Sequence, residues 1–259
     1  MAALMNRNYT FNQVATIAVG ALVIVPVFKT VSSKLWKLLK PPMKYGYWNL
    51  RGLGQSVRFM LEYTGEKYDE TRYEVSRYKE WFEEDKKNLG IELANLPYII
   101  DGPLKISQSV AILRYIARKN GLAGKSIADQ AKVDMVCDFI GDFRRNYSKV
   151  AYTDMRDEKL KQKFFKDTVP TFLNQLSEQL GEEDWFVGNL TMADFLVYEM
   201  LDVVRIMTTK VMGSNALEAK ENLMQFMTRF EQLPAIAKYM TSENFVVRPL
   251  NGPSAMFNT

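Results

Sequence analysis

The chain has 259 residues, 47% of them apolar and 25% charged, the make-up of a folded protein long enough for two modest domains. Its formal charge of +4 is mild and no long basic run occurs, which speaks against a nucleic-acid partner. With no histidine and one cysteine, Ser-His and Cys-His nucleophile pairs, histidine metal sites and an internal disulfide framework are excluded. Any catalysis must then use tyrosine, carboxylates, lysine, backbone amides or the reactive group of a bound cofactor.

Residues 8–28 carry no charge and become strongly apolar from Val14 on, a length that would just cross a bilayer core as a helix. Lys29, Lys34, Lys37 and Lys40 follow, with no acidic residue before Glu62, which orients the C-terminal side toward a cytosolic or matrix face. Residues 33–40 interleave lysines with Leu35, Trp36, Leu38 and Leu39, as an interfacial amphipathic turn would. A cleaved secretory signal fits poorly because the lysines lie on the wrong side, and a mitochondrial presequence is possible although arginine is scarce. Residues 1–42 are therefore read as a retained hydrophobic and basic extension containing a transmembrane helix. It contacts membrane through residues 14–40, with the mitochondrial inner membrane expected and the cytoplasmic face of another membrane as the alternative. Pro41-Pro42 breaks the chain before the folded body.

From Met43 the pattern is strand (44–48), helix (53–64), strand (70–75), a polar helix or irregular helical turns (79–89), a hairpin of strands 98–101 and 104–106 about Gly102-Pro103, and a helix (108–119) ending at Asn120-Gly121. Beyond Gly124 the periodicity is helical throughout, over 131–152, 160–180, 195–207, 219–230 and 233–240. Thr191-Met192-Ala193-Asp194 spells a capping box ahead of the apolar run from Phe195. The reading is an α/β domain at 43–122 followed by an all-helical domain at 123–259. Cys137 falls on an apolar helical stripe and is read as a buried, inert thiol.

The candidate site begins at Tyr45–Gly54, a short aromatic strand that breaks at two glycines and gives way to a helix, an arrangement that holds small anionic ligands beside a helix N-terminus. Asn95-Leu96-Pro97-Tyr98 enters a strand through a proline, where a cis bond or an ordinary edge proline are equally compatible with the spacing. Gln108-Ser109 opens the next helix, where a serine caps or its neighbouring amides bind a carboxylate. Taken singly, Tyr47 is a half-buried strand aromatic, Ser109 a cap, and Trp81 and Lys86 surface residues. Their order carries the information.

That order resembles the cytosolic glutathione transferases, most closely the mu class, over Met43–Pro249. The resemblance rests on Gly46-Tyr47-Trp48-Asn49-Leu50-Arg51-Gly52-Leu53, Asn95-Leu96-Pro97-Tyr98-Ile99-Ile100-Asp101-Gly102, Gln108-Ser109 with Ile112-Leu113-Arg114-Tyr115-Ile116-Ala117-Arg118, Trp185-Phe186-Val187-Gly188-Asn189, and Asp194-Phe195-Leu196-Val197-Tyr198. It implies a thioredoxin-like domain followed by a helical bundle, usually dimeric, with glutathione as co-substrate. Tyr47 stands where the family's catalytic tyrosine donates to the glutathione sulfur. Trp48, Trp81 and Lys86 match positions that hold the glycine end of glutathione. Asn95, Leu96 and Pro97 line the site, and Gln108 and Ser109 match the γ-glutamyl clamp. Asp142 matches an acid that reaches across the dimer, and Tyr152 a hydroxyl over the electrophile pocket, whose floor Leu50 and Leu53 would line. The family's arginine before the Trp81 position has no clear equivalent here. Leu93 stands where many members place an aromatic that locks into the partner.

The expectation is a membrane-tethered transferase that adds glutathione to small lipophilic electrophiles or reduces hydroperoxides. The alternative is a transferase-fold accessory subunit of a membrane complex, possibly mitochondrial respiratory. The first reading expects a homodimer or related-subunit dimer, and the second expects assembly with membrane-complex subunits.

Overall fold

Strand β1 (Met43–Trp48) is an inner strand of a four-stranded sheet, with Met43, Tyr45, Gly46 and Tyr47 buried, Lys44 exposed and Trp48 half-buried. The structure is a computed structural model that describes residues 41–152 and 157–257. By its contacts the chain divides between Pro41 and Pro42, and every strand and helix named here belongs to the unit from Pro42 onward. The transmembrane helix expected in residues 8–28 and the basic segment 33–40 lie outside the described residues. Among the described residues no helix is long and apolar enough to cross a membrane.

β1 runs parallel to β2 (Tyr68–Tyr73) and antiparallel to β3 (Tyr98–Asp101), which pairs antiparallel with β4 (Leu104–Ser107) through the turn at Gly102, whose φ is 63°. The sheet order is therefore β2-β1-β3-β4. Gly46 faces Tyr98 in this register, and a Cβ at Gly46 would stand 2.2 Å from the Tyr98 ring. Only glycine lets that ring lie across β1. The antiparallel pairings bring the C-terminal end of β1, the start of β3 and the end of β4 to one edge of the sheet. The polar stretch between β2 and β3 forms irregular helical turns, Val75–Arg77, Glu80–Asp85 and Lys86–Asn88.

Helix α1 (Gln55–Thr64) is buried without interruption from Gln55 to Leu61, because other helices pack against it and its Arg58 lies over the Tyr45 and Tyr47 rings of β1. α2 (Ser109–Asn120) packs beside it and ends at Gly121 with φ 75°. The helical half comprises α3 (Ile127–Tyr152), α4 (Glu158–Lys163), a wide helical turn Phe164–Thr168, α5 (Val169–Leu180), α6 (Met192–Met212), a 3₁₀ turn Ala216–Ala219, α7 (Glu221–Glu231) and α8 (Pro234–Met240). The two halves share one core. Phe59 of α1 meets Tyr198 of α6, Phe230 of α7 and Tyr239 of α8 edge-on at ring separations of 5.3, 5.6 and 5.7 Å.

Several boundaries differ from the sequence pattern for local reasons. β2 starts two residues early because the Met43 amide bonds the Lys67 carbonyl and the ladder registers Met43 with Tyr68. α1 starts at Gln55 rather than Leu53, whose amide is spent on a side chain, and α2 starts at Ser109 rather than Gln108. The single helix expected over 160–180 is interrupted by the wide turn just before Pro170, which cannot donate to the preceding turn. The Thr191–Asp194 box is present and starts α6 three residues earlier than the apolar run suggests, the Thr191 amide donating to Asp194 Oδ2 at 2.7 Å.

Cys137 is 3% exposed on α3, and burial pushes its thiol up to about 12. It is therefore protonated at pH 8 and without a path to reagent. Iodoacetamide at pH 8 should leave folded protein unmodified by mass spectrometry and alkylate it once in guanidinium.

Candidate functional site

The Tyr47 ring is held in the turn that joins β1 to α1. It is 5% exposed, and its Oη accepts the Leu53 amide at 2.8 Å. A Cβ on Gly52 would come within 2.5 Å of that Oη, and one on Gly54 within 2.3 Å of the ring, so both glycines are required for the chain to wrap this closely. Tyr45, two residues back on the same face, is fully buried and donates to the Gly54 carbonyl at 3.1 Å. Of the two tyrosines, Tyr45 is a strut and Tyr47 the one that reaches the rim. Burial pushes the Tyr47 phenol above its usual range, opposed by the Leu53 amide and then by the guanidiniums of Arg144 and Arg58. At neutral pH it is a protonated hydroxyl, with one lone pair engaged by an amide and its proton available to an acceptor.

Around that edge of the sheet stand most of the other expected residues. Trp48, half-buried, lies 6.1 Å from Tyr73 and 6.2 Å from Phe82. Leu53 is 40% exposed beside Tyr47, whereas Leu50 is buried. Lys86 is exposed, its Nζ 5.5 Å over the Phe82 ring. Asn95 is exposed and its Oδ1 accepts the Leu96 amide at 2.9 Å, ahead of a cis Leu96–Pro97 bond and a buried Pro97. Gln108, exposed, takes φ 75°, an uncommon conformation for a side-chain-bearing residue, and Ser109 follows as the first residue of α2. Gln108 thus occupies the cap position that was expected of Ser109. The register Gly46↔Tyr98↔Ser107 places Tyr47, Pro97 and Gln108 at the same edge.

Trp81 is not a surface residue: it is 1% exposed and packed in the core, stacked on Tyr98 at 5.8 Å and edge-on to Tyr73 at 5.5 Å. Phe82 takes the outward place between Trp48 and Lys86, and an irregular helical turn hides from sequence periodicity which of the two neighbours faces out.

The helical half contributes α3. Arg144, half-buried, donates from Nη1 to the Gly52 carbonyl at 3.1 Å. Tyr152 is 43% exposed, and its Oη accepts the Gly252 amide at 2.8 Å, while Asn251 donates to Tyr147 Oη at 2.6 Å. The C-terminal segment therefore lies along α3, and it also accepts the amides of Arg51 and Gly52 through Pro249 and Leu250 at 3.0 Å each. Asp142 does not join this group. It is exposed, pairs with Arg145, and borders a cavity of about 330 Å³ with Phe139, Phe143, Asn146 and Thr168.

Sequence reasoning missed Phe82, Arg144 and the buried arginines Arg51 and Arg58. The available signal was charge in an apolar setting: Glu199 and Asp202 interrupt the apolar run of α6 and announce a buried cation.

A four-stranded mixed sheet with a cis-proline edge is thus joined to a helical bundle, with a protonated phenol at its rim beside amide-rich turns. A family model described as the glutathione S-transferase N-terminal domain matches residues 43–118, and one described as the C-terminal domain matches residues 141–243. The chain is 43% identical over 217 residues to the class-mu 26 kDa glutathione S-transferase isozyme 1 of Fasciola hepatica, covering 83% of this chain and 94% of that one. It is 40% identical over 215 residues to human glutathione S-transferase Mu 2, covering 81% and 95%. The crystal structure of the glutathione S-transferase Blo t 8 superposes with a TM-score of 0.75 at 31% identity, covering 83% of this chain and all of that one. The chain belongs to the glutathione S-transferase family, in its mu class, and glutathione is its co-substrate.

Gly54→Ala tests how the turn sets the site. Its Cβ would stand 2.3 Å from Tyr47 and 2.6 Å from Tyr45 Oη, so urea unfolding should report a loss of about 1–3 kcal/mol, with glutathione affinity falling as Tyr47 is displaced.

Proposed function

We propose that the chain conjugates the glutathione thiolate to lipophilic electrophiles, or uses it to reduce hydroperoxides, while tethered to a membrane. The observation that carries the chemistry is the buried, protonated Tyr47 hydroxyl with its oxygen engaged by the Leu53 amide at 2.8 Å. That hydroxyl donates to the glutathione sulfur and favours the thiolate, whose proton passes to solvent. The thiolate attacks the electrophilic carbon, a C–S bond forms, and either the leaving group departs or, for an enone or epoxide, the developing oxyanion takes a proton. Tyr152, its oxygen holding the Gly252 amide, has its own O–H to offer that oxyanion.

The remaining roles follow the edge of the sheet. Lys86 offers its ammonium to the glycine carboxylate, beside the aromatic wall of Trp48 and Phe82. The cysteinyl backbone runs along Asn95, Leu96 and Pro97. Gln108 and Ser109, with the first amides of α2, receive the γ-glutamyl carboxylate. Asp142 serves a partner subunit's ligand, in keeping with its position away from Tyr47.

Dimerisation is typical of the mu class, and two features favour it here. Leu93 is 86% exposed at φ 50°, its carbonyl held by Ser107 Oγ at 2.9 Å, which displays the side chain outward. A groove of about 190 Å³ between α3 and α5, lined by Met135, Val136, Phe139 and Leu176, has the size and character to take such a side chain from a second copy.

Tyr47→Phe should raise the titration midpoint of bound glutathione by one to two units and lower turnover with a chloronitrobenzene about 10- to 100-fold, the worth of a hydrogen bond to a charged group. Wild-type turnover in that variant overturns the mechanism. The tether rests on the uncharged residues 8–28 with their lysine flank. The full chain should float with lipid vesicles and resist an alkaline carbonate wash, and a chain starting at Met43 should stay in the soluble fraction while still binding glutathione. On native gels in detergent the full chain should run as a dimer. Migration only within a larger assembly favours the accessory-subunit reading.

A further inference from the structure

Arg51 sits in the turn between β1 and α1, yet its side chain leaves that half of the molecule. It is 2% exposed, with Nη2 and Nε on the two carboxylate oxygens of Glu199 at 2.5 and 3.1 Å and Nη1 on Asp202 Oδ2 at 2.6 Å. Glu199 and Asp202 stand one turn apart on α6, and Asp202 is shared with Arg205 at 2.9 Å. Burying such a group is unfavourable against a hydrophobic replacement of the same volume, so anchoring the turn to α6 does not require it. What a planar guanidinium gripped at three points adds is a fixed position and orientation.

That orientation propagates along the turn. The Arg51 amide donates to Pro249 O at 3.0 Å, and its carbonyl accepts the amides of Gly54 and Gln55 at 2.9 Å each. Gly52 donates to Leu250 O at 3.0 Å, and Leu53, next in line, donates to Tyr47 Oη at 2.8 Å. The Leu53 amide is only two residues from the gripped arginine, and it is the strongest influence opposing the effect of burial on the Tyr47 phenol.

We infer that Arg51, with Glu199 and Asp202, is a positioning device for Tyr47: an ion cluster in the helical half holds the turn so that the Leu53 amide stays on the phenol oxygen, and it thereby sets the acidity of the thiol that Tyr47 serves. This role deepens the one proposed for Tyr47 and rests on it. The other charged or titratable groups facing the phenol are Tyr45 of β1, Arg58 of α1, and Arg144 and Tyr152 of α3, and the test leaves all four unaltered.

The test is a titration, by ultraviolet absorbance of the thiolate, of glutathione bound to the full-length protein. Glu199→Gln keeps the shape and removes one charge. Arg51→Met with Glu199→Gln removes both charges and leaves Asp202 paired with Arg205, so that no buried charge stands alone. Arg51→Lys keeps a cation without the fork. In each, the bound-thiol midpoint should rise, by about one unit in the double variant, with about tenfold less thiolate and turnover below the midpoint. Glutathione affinity measured by calorimetry at a pH below the wild-type midpoint, where the thiol binds protonated, should hold. Variants that fold, as judged by melting temperature, yet titrate like wild type overturn the proposal and leave the cluster as a structural rivet. If Glu199→Gln does not fold, the double variant or Arg51→Lys decides. Failure of the Tyr47 reading itself looks different: it shows in the unmodified protein, as absent glutathione binding or an indifferent Tyr47→Phe.

Discussion

Taking a guanidinium out of water carries a penalty of several kcal/mol, and this fold does it twice within eight residues. Arg58 is fully buried beneath the rings of Tyr45 and Tyr47, 5.9 and 5.8 Å from their centroids. Its hydrogens are met by Glu70 at 2.6 Å, by the Leu50 carbonyl at 2.8 Å and by the Trp48 carbonyl at 3.1 Å. Those two carbonyls belong to the end of β1 and the turn after it, so the backbone there must point its acceptors inward. Arg51 makes a matching demand toward α6. Between them the two arginines leave the six residues from Asn49 to Gly54 little conformational choice, and the path that remains is the one that wraps Tyr47.

In the role proposed for Tyr47, the wrapped turn is what lets a chain without histidine serve a thiol. A general base would have to accept the sulfur's proton and be regenerated, whereas a buried phenol has only to stay protonated and point the right way. Desolvation secures the first condition, since it disfavours phenolate. Occupation of the oxygen by a backbone amide secures the second, since it leaves the hydroxyl proton to the ligand. The reactive group is supplied by glutathione, and the protein contributes orientation and a tuned donor.

Much of this was legible in the sequence. The strands of the sheet, the hairpin at Gly102-Pro103, the capping box at Thr191 and the helical second half follow from periodicity and turn chemistry, because each is decided by residues close in sequence. Tyr47 and the edge residues were legible through the order of short blocks. Trp81 and Phe82 could not be told apart, because the irregular turns Glu80–Asp85 and Lys86–Asn88 have no single period from which to read a face. Arg51 and Arg144 were passed over for another reason. Their partners, Glu199 and the Gly52 carbonyl, lie 148 and 92 residues away, and charge on a helix or turn reads as solvent-facing until such a partner is seen.

The C-terminal segment extends the same logic to the second phenol. The Tyr152 oxygen accepts the Gly252 amide at 2.8 Å, as the Tyr47 oxygen accepts that of Leu53 at 2.8 Å. In each case a backbone N–H occupies the oxygen and the hydroxyl proton is left as the exposed function. The two differ in what holds the amide. Leu53 belongs to a turn fixed by buried charge, but Gly252 belongs to a segment secured by hydrogen bonds from Arg51, Gly52 and Asn251 and by the burial of Leu250 and Phe257. The two supports meet at Arg51, whose side chain is held by Glu199 and Asp202 while its amide holds Pro249.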